Sequence, residues 1–209
     1  MCFENYNLLN SVCWTIGTIS GCSVGDNEKK FLVSCIKTLL NMTDKAPTIE
    51  YKSQVASLIL YIVGAYPGFI NNSVPFLLCV LNKVLEFMKN RYEGVREMAV
   101  NTFRVLCEKC SEKLTMIEAN FKTPENGNPG FKLEVWDFLT ESKTITEKLS
   151  LAHKIVYFEG IGHLLGILKN DEIIIHCINT TLSPLMEGWH KLLQEGGNNI
   201  QYLTNDQTC

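Results

Sequence analysis

Along most of the chain, apolar residues recur at i, i+3, i+4 and i+7, the spacing that places them on one face of an α-helix. The pattern predicts helices over about 8–20, 28–42, 50–65, 73–89, 94–113, 131–141, 146–168 and 172–194. No stretch alternates apolar and polar residues for long, and no Asn-Gly turn joins two β-branched runs, so strands are not expected. Turn-forming residues sit between the segments: Gly25-Asp26, Ala46-Pro47-Thr48, Tyr66-Pro67-Gly68 and Glu93-Gly94. The clearest loop is Asn126-Gly127-Asn128-Pro129-Gly130, a surface excursion beginning near Lys122. The expected fold class is all-α.

The segments also repeat. "CWTIGTIS" at 13–20 resembles "LYIVGAYP" at 60–67, with Gly17 and Gly64 equivalent and 47 residues apart. "REMAVNTFRVLCEKC" follows about one period later, and "KIVYFEGIGHLLG" closes a further unit after the loop. A helix pair repeating every ~40–47 residues is the HEAT/armadillo period, and each pair needs a stacked neighbour to cover its apolar stripe. A solenoid of antiparallel helix pairs is therefore expected. It divides into an inner helix at 8–25, one repeat at 26–68, a second at 69–113, and a third at 114–170 with a long loop near 120–130. The outer helix of the next repeat follows at 171–195.

Two outer helices carry more apolar surface than stacking requires. Side chains step by about 100° around a helix, and one packed face needs an arc of little more than that. In "FLVSCIKTLLNMT" the apolar residues cover roughly 200° of the wheel. The helix at 73–89 is equally wide, with Asn82, Lys83 and Glu86 on the remainder. Two leftover stripes facing each other would form a groove from Ile36, Leu40, Phe76, Val80 and Phe87, edged by Lys37, Lys52 and Lys83. Such grooves bind amphipathic peptides. The alternative is that neighbouring helices or a partner subunit bury both stripes. Val80→Asp separates the two: it abolishes peptide binding if the groove is open and unfolds the chain if the site is core.

Composition narrows the function classes. The chain is 46% hydrophobic and 20% charged, which fits a folded protein. A formal net charge of −3 and no basic cluster give no field for nucleic acid or an anionic membrane. No apolar run approaches the ~20 residues of a membrane span, and the N-terminal residues lack the pattern of a secretory signal. Nine irregularly spaced cysteines read as reduced core thiols. Cys107-x-x-Cys110 stands without a second pair and has helix-face spacing, and His153, His163, His176 and His190 are scattered. Gly160-Ile161-Gly162 lacks the third glycine and the strand of a phosphate loop. No catalytic residue, cofactor or metal is expected, and a cysteine hydrolase has nothing to support it.

Several stretches in register carry a resemblance: "LNSVCWTIGTISG", "EKKFLVSCIKTLL", "LYIVGAYPGF", "LNKVLEFM" and "GVREMAVNTF". Together they resemble the central part of the exportin-one family, karyopherins that carry cargo with leucine-rich nuclear export signals. The likeness runs from Leu9 to Cys110, weakens over 111–145, and returns at "LAHKIVYFEGIGHLLG" and "PLMEGWHKLL". It implies a fragment of a longer receptor that shuttles between nucleus and cytoplasm. Implied partners are cargo signals, the small GTPase Ran in its GTP form (mostly through other regions) and nuclear pore proteins.

The resemblance also implies where the signal binds: on the convex face, between the helices 28–42 and 73–89. Ile36, Leu40 and Thr43 would line one side, and Phe76, Val80, Lys83, Val84 and Phe87 the other. Ala56, Leu60, Phe69 and Met98 would form the floor and ends, with Lys37, Lys52, Lys83 and Glu86 as rim charges. Thr43 stands where the family commonly has the cysteine alkylated by leptomycin-type inhibitors. A hydroxyl is no soft nucleophile near neutral pH, so resistance to them is expected. Ile49 replaces a frequent rim lysine, and Pro75 suits a first helical turn.

Overall fold

The computed structural model describes residues 6–22, 26–119, 142–169 and 171–197. Nine helices lie within them: α1 Tyr6–Thr18, α2 Asp26–Asp44, α3 Ile49–Ala65, α4 Pro67–Ile70 and α5 Val74–Met88, then α6 Glu93–Ala119, α7 Ser142–Glu147, α8 Leu151–Leu165 and α9 Asp171–Gly196. No strand occurs among the described residues. The architecture is the all-α HEAT-repeat solenoid that the periodicity predicts.

Local chemistry sets the helix ends. Thr48 is extended, and its side-chain oxygen accepts the Tyr51 N–H at 3.2 Å, while Glu50 in the first turn complements the helix dipole. Pro67 and Pro75 occupy the first turns of α4 and α5, where a missing N–H costs nothing.

Two boundaries differ from the sequence reading. The segment 146–168 is broken into α7 and α8, because Ser150 is extended and its Oγ accepts the His153 N–H, starting a new helix. The segment 94–113 continues to Ala119, since neither glycine nor proline interrupts it there. The expected helix at 131–141 and the loop at 120–130 lie outside the described residues.

Helices α1, α3, α6 and α8 form one layer of parallel neighbours. Trp14 stacks on Tyr61 with centroids 5.1 Å apart, and the Tyr66 hydroxyl donates to the Ile16 carbonyl at 2.6 Å. Thr102 Oγ1 donates to the Leu60 carbonyl at 3.3 Å, and Phe103 stacks on Tyr157 at 5.2 Å. Helix α2 packs on α3, and α5 on α6, as a second layer. One core of buried side chains runs from Cys13 to Cys177.

Glycine permits the close approaches in the first layer. A Cβ on Gly17 would lie 2.2 Å from the Tyr61 ring. A Cβ on Gly160 would lie 3.0 Å from the Phe103 ring and 3.3 Å from the Arg104 Cα, where the backbone cannot easily give way. The Gly17/Gly64 pair that reveals the period is thus not equivalent in packing: Gly64 meets only Thr102 Oγ1 at an ordinary 3.7 Å.

Candidate functional site

The residues expected to line a groove divide by depth. Ile36 on α2, Ala56 and Leu60 on α3, and Val80, Val84 and Phe87 on α5 are all at most 3% exposed. Thr43 is buried too, its hydroxyl donating to the Leu40 carbonyl at 2.7 Å. Leu40, Phe69, Phe76, Lys83 and Met98 are half-buried, and Leu40, Phe69, Phe76 and Met98 pack against the core from above. Phe69 of α4 meets the edge of Phe76 of α5 at 5.9 Å, tying the loop before α5 to that helix. In this conformation the deepest positions of the expected groove are core, and the half-buried residues mark the surface of the seam. Ile49 is exposed.

Charges cross the seam above them. Lys83 Nζ lies 3.2 Å from Asp44 Oδ1 at the end of α2 and 2.8 Å from Glu86 Oε2 one turn along α5. Glu86 Oε1 in turn accepts from Lys52 Nζ of α3 at 2.9 Å. The chain Asp44–Lys83–Glu86–Lys52 therefore joins α2, α5 and α3. Partial burial alone would lower the Lys83 ammonium, but its hydrogen bonds to Glu86 and Asp44 outweigh that and hold it above its ordinary value. For Glu86, burial pushes the carboxyl up, and hydrogen bonds from Lys83 and Lys52 more than reverse it. Exposed pairs of this kind contribute about 0–1 kcal/mol each, so they close the seam without locking it. Lys37 is exposed on α2.

Asp44 is the member that sequence reasoning missed. The signal was present: it follows Thr43 directly, an acid at the end of one wide helix opposite a lysine within the other.

Other sequence candidates fall elsewhere. Cys107 and Cys110 are buried free thiols, and burial pushes Cys110 up to about 11 and Cys107 well above its ordinary value. Thiols of that kind are inert. Among the described residues no cluster of His, Cys, Asp or Glu could hold a metal ion, and no helix is long and apolar enough to cross a membrane.

Comparison with known proteins points one way. Residues 5–48 match the family profile described as CRM1 / Exportin repeat 3. The chain is 31% identical to Exportin-1 of Schizosaccharomyces pombe over 200 residues, 96% of its own length and 18% of that relative's. It is 32% identical to Exportin-1 of Dictyostelium discoideum over 188 residues, covering 90% of this chain and 17% of the relative. Over nearly its whole length the chain is similar to a segment of exportin-1 proteins. Protein EXPORTIN 1A of Arabidopsis thaliana is 28% identical over 198 residues, again 18% of its length. The chain spans under a fifth of the length of the curated relatives it matches, and their similarity extends past the matched repeat to cover the seam between α2 and α5.

Proposed function

We propose that this chain is the part of a nuclear export receptor that binds leucine-rich export signals between α2 and α5. The observation that carries the reading is the seam itself. Ile36, Val80, Val84 and Phe87 lie beneath it, half-buried Leu40 and Phe76 lie at its surface, and Lys83–Asp44 is the ion pair spanning it. Exportin-1 similarity over nearly the whole chain supports it. Binding requires the seam to open. Exposing a buried Val, Ile or Phe costs about 1.5–3 kcal/mol, and leucines of the entering peptide return that by covering the same side chains. Net affinity is reduced by the fraction of time the seam is closed.

Ran in its GTP form acts mainly through other regions of the receptor, coupling reciprocally to cargo binding. Nuclear pore proteins are further partners, and the protein shuttles between nucleus and cytoplasm as a carrier rather than an enzyme. Thr43 in place of a thiol makes it resistant to leptomycin-type electrophiles. A second reading, a helical-repeat scaffold whose wide helices serve only as core, is favoured by the depth of Ile36, Val80 and Phe87.

Fluorescence anisotropy of a labelled leucine-rich export-signal peptide separates them. Saturable binding that is lost when the peptide leucines become alanine, and weakened by Phe76→Ala, supports the export reading. A folded chain that never binds supports the scaffold.

A further inference from the structure

The two layers are joined at a single short turn. Helix α4 follows α3 of the first layer and leads into α5 of the second, and at four residues it is too short to hold its shape alone. Ile70 anchors it in the core, and the Tyr66 hydroxyl just before it reaches back to the Ile16 carbonyl. Further contacts come from α6. Cys110 Sγ donates weakly to the Pro67 carbonyl at 3.7 Å, and Lys113 Nζ donates to the Asn71 carbonyl. Cys110 and Lys113 stand three residues apart, so one face of α6 meets the turn twice.

Lys113 is the stronger of these two holds. A helix ends on carbonyls that its own backbone leaves unpaired, and a cation there both donates to them and answers the negative end of the helix dipole. The acceptor, Asn71, is the C-cap of α4, and its own N–H returns to the Pro67 carbonyl at 2.9 Å. A hydrogen bond from an ammonium outweighs one from a neutral thiol.

What α4 carries gives this hold a consequence at the seam. Phe69 is half-buried, and its ring meets Phe76 of α5 edge-on at 5.9 Å. Phe76 packs on the core at the surface of the α2–α5 seam. Contacts therefore run without a gap from the Lys113 ammonium through the α4 backbone to Phe69 and on to Phe76.

We propose that Lys113 is a positioning residue for export-signal binding: acting from the first layer through α4, it sets where Phe69 stands at the end of the seam. It touches no peptide itself. The proposal rests on the export reading of the seam given above.

The test compares the native chain with Lys113→Met, which keeps the apolar stem and removes the ammonium, and with Lys113→Arg, which restores a cation. The first readout is amide hydrogen exchange at Ile70, Asn71 and Asn72, whose N–H groups close the turn. The second is the anisotropy of the labelled leucine-rich peptide. Lys113→Met is expected to speed that exchange severalfold and to weaken the peptide about threefold or more, with Lys113→Arg close to native. In a Phe69→Ala background Lys113→Met should weaken the peptide no further, because the ring it positions is gone. A general loss of stability would instead weaken binding equally in both backgrounds. A native chain that binds no peptide overturns the export reading and this role with it. Where the native chain does bind, an affinity unchanged by Lys113→Met, equal losses in both backgrounds, or unaltered exchange in α4 overturns this role alone.

Discussion

Two helix–helix interfaces in this protein are built in opposite ways. Between α6 and α8, Phe103 and Tyr157 are fully buried and stacked, and Gly160 lets the backbones approach until a methyl group would crowd the Phe103 ring and the Arg104 backbone. Between α2 and α5, the contact at the surface is the Asp44–Lys83 ion pair at 3.2 Å, beside half-buried Leu40 and Phe76. Stacked, buried aromatic surface resists separation, whereas exposed charges can exchange partners with water at little cost. The first layer is therefore the rigid spine, and compliance lies in the second. The export-signal binding proposed above would use that division.

The largest effects should come from the spine. Phe103→Ala removes a stacked, fully buried ring and should cost about 3–5 kcal/mol in a denaturant titration, enough to unfold much of the chain. Val80→Asp should do comparable damage, because Val80 is only 3% exposed and a carboxylate there has no partner. If the Asp variant kept its melting temperature, the seam would be open in solution and the contrast between the two interfaces would widen.

Glycine substitutions sharpen the comparison at smaller scale. Gly160→Ala should cost about 1–3 kcal/mol by overpacking against Phe103 and the α6 backbone. Gly64→Ala, in ordinary van der Waals contact only, should be neutral or slightly stabilising because alanine favours the helix. Paired melting curves check both, and equal losses would remove the case for a close-packed spine.

The seam should respond to pH at both extremes. Glu86 is held below its ordinary 4.5, so its contribution is present above that value and is lost as pH falls through the lower folded one. Lys83 is held above its ordinary 10.5, so its contribution is present below that value and lost as pH rises through the folded one. The difference in melting temperature between the native chain and Lys83→Met should be flat across neutral pH and shrink at both extremes. A difference independent of pH would mean that the charges are not what closes the seam.

Thiol labelling gives the smallest effect and the finest map. Cys22 and Cys79 are exposed and should react with a maleimide quickly, while Cys13, Cys107, Cys110 and Cys177 are buried and should stay protected until the chain unfolds. Cys79 lies one turn from Lys83 on α5, so its labelling should slow when a peptide occupies the seam.

Much of this was legible in the residues. Helical spacing located the long helices, and the Gly17/Gly64 echo exposed the repeat because parallel neighbours meet at equivalent heights, as Trp14 does with Tyr61. The wide apolar arcs of α2 and α5 read either as stripes left over for a groove or as stripes buried by neighbours, because a wheel cannot say whether the second side meets a neighbouring helix or a visiting peptide. Depth is a tertiary property, and Ile36 and Leu40, one turn apart, end up on different sides of that line. The break at Ser150 escaped notice because the apolar spacing of 146–168 continues across it, while the cap that starts α8 is a single hydroxyl. Asp44 escaped notice because an ion pair between helices has no sequence period.

The most direct measurement is the affinity of one leucine-rich export-signal peptide for the native chain and for Lys83→Met, by fluorescence anisotropy under identical salt. If the Asp44–Lys83–Glu86 pairs hold a closed groove shut, removing the ammonium raises the open fraction and the variant binds the peptide more tightly. Equal or weaker binding by a fully folded Lys83→Met chain would contradict a charge-latched groove between α2 and α5.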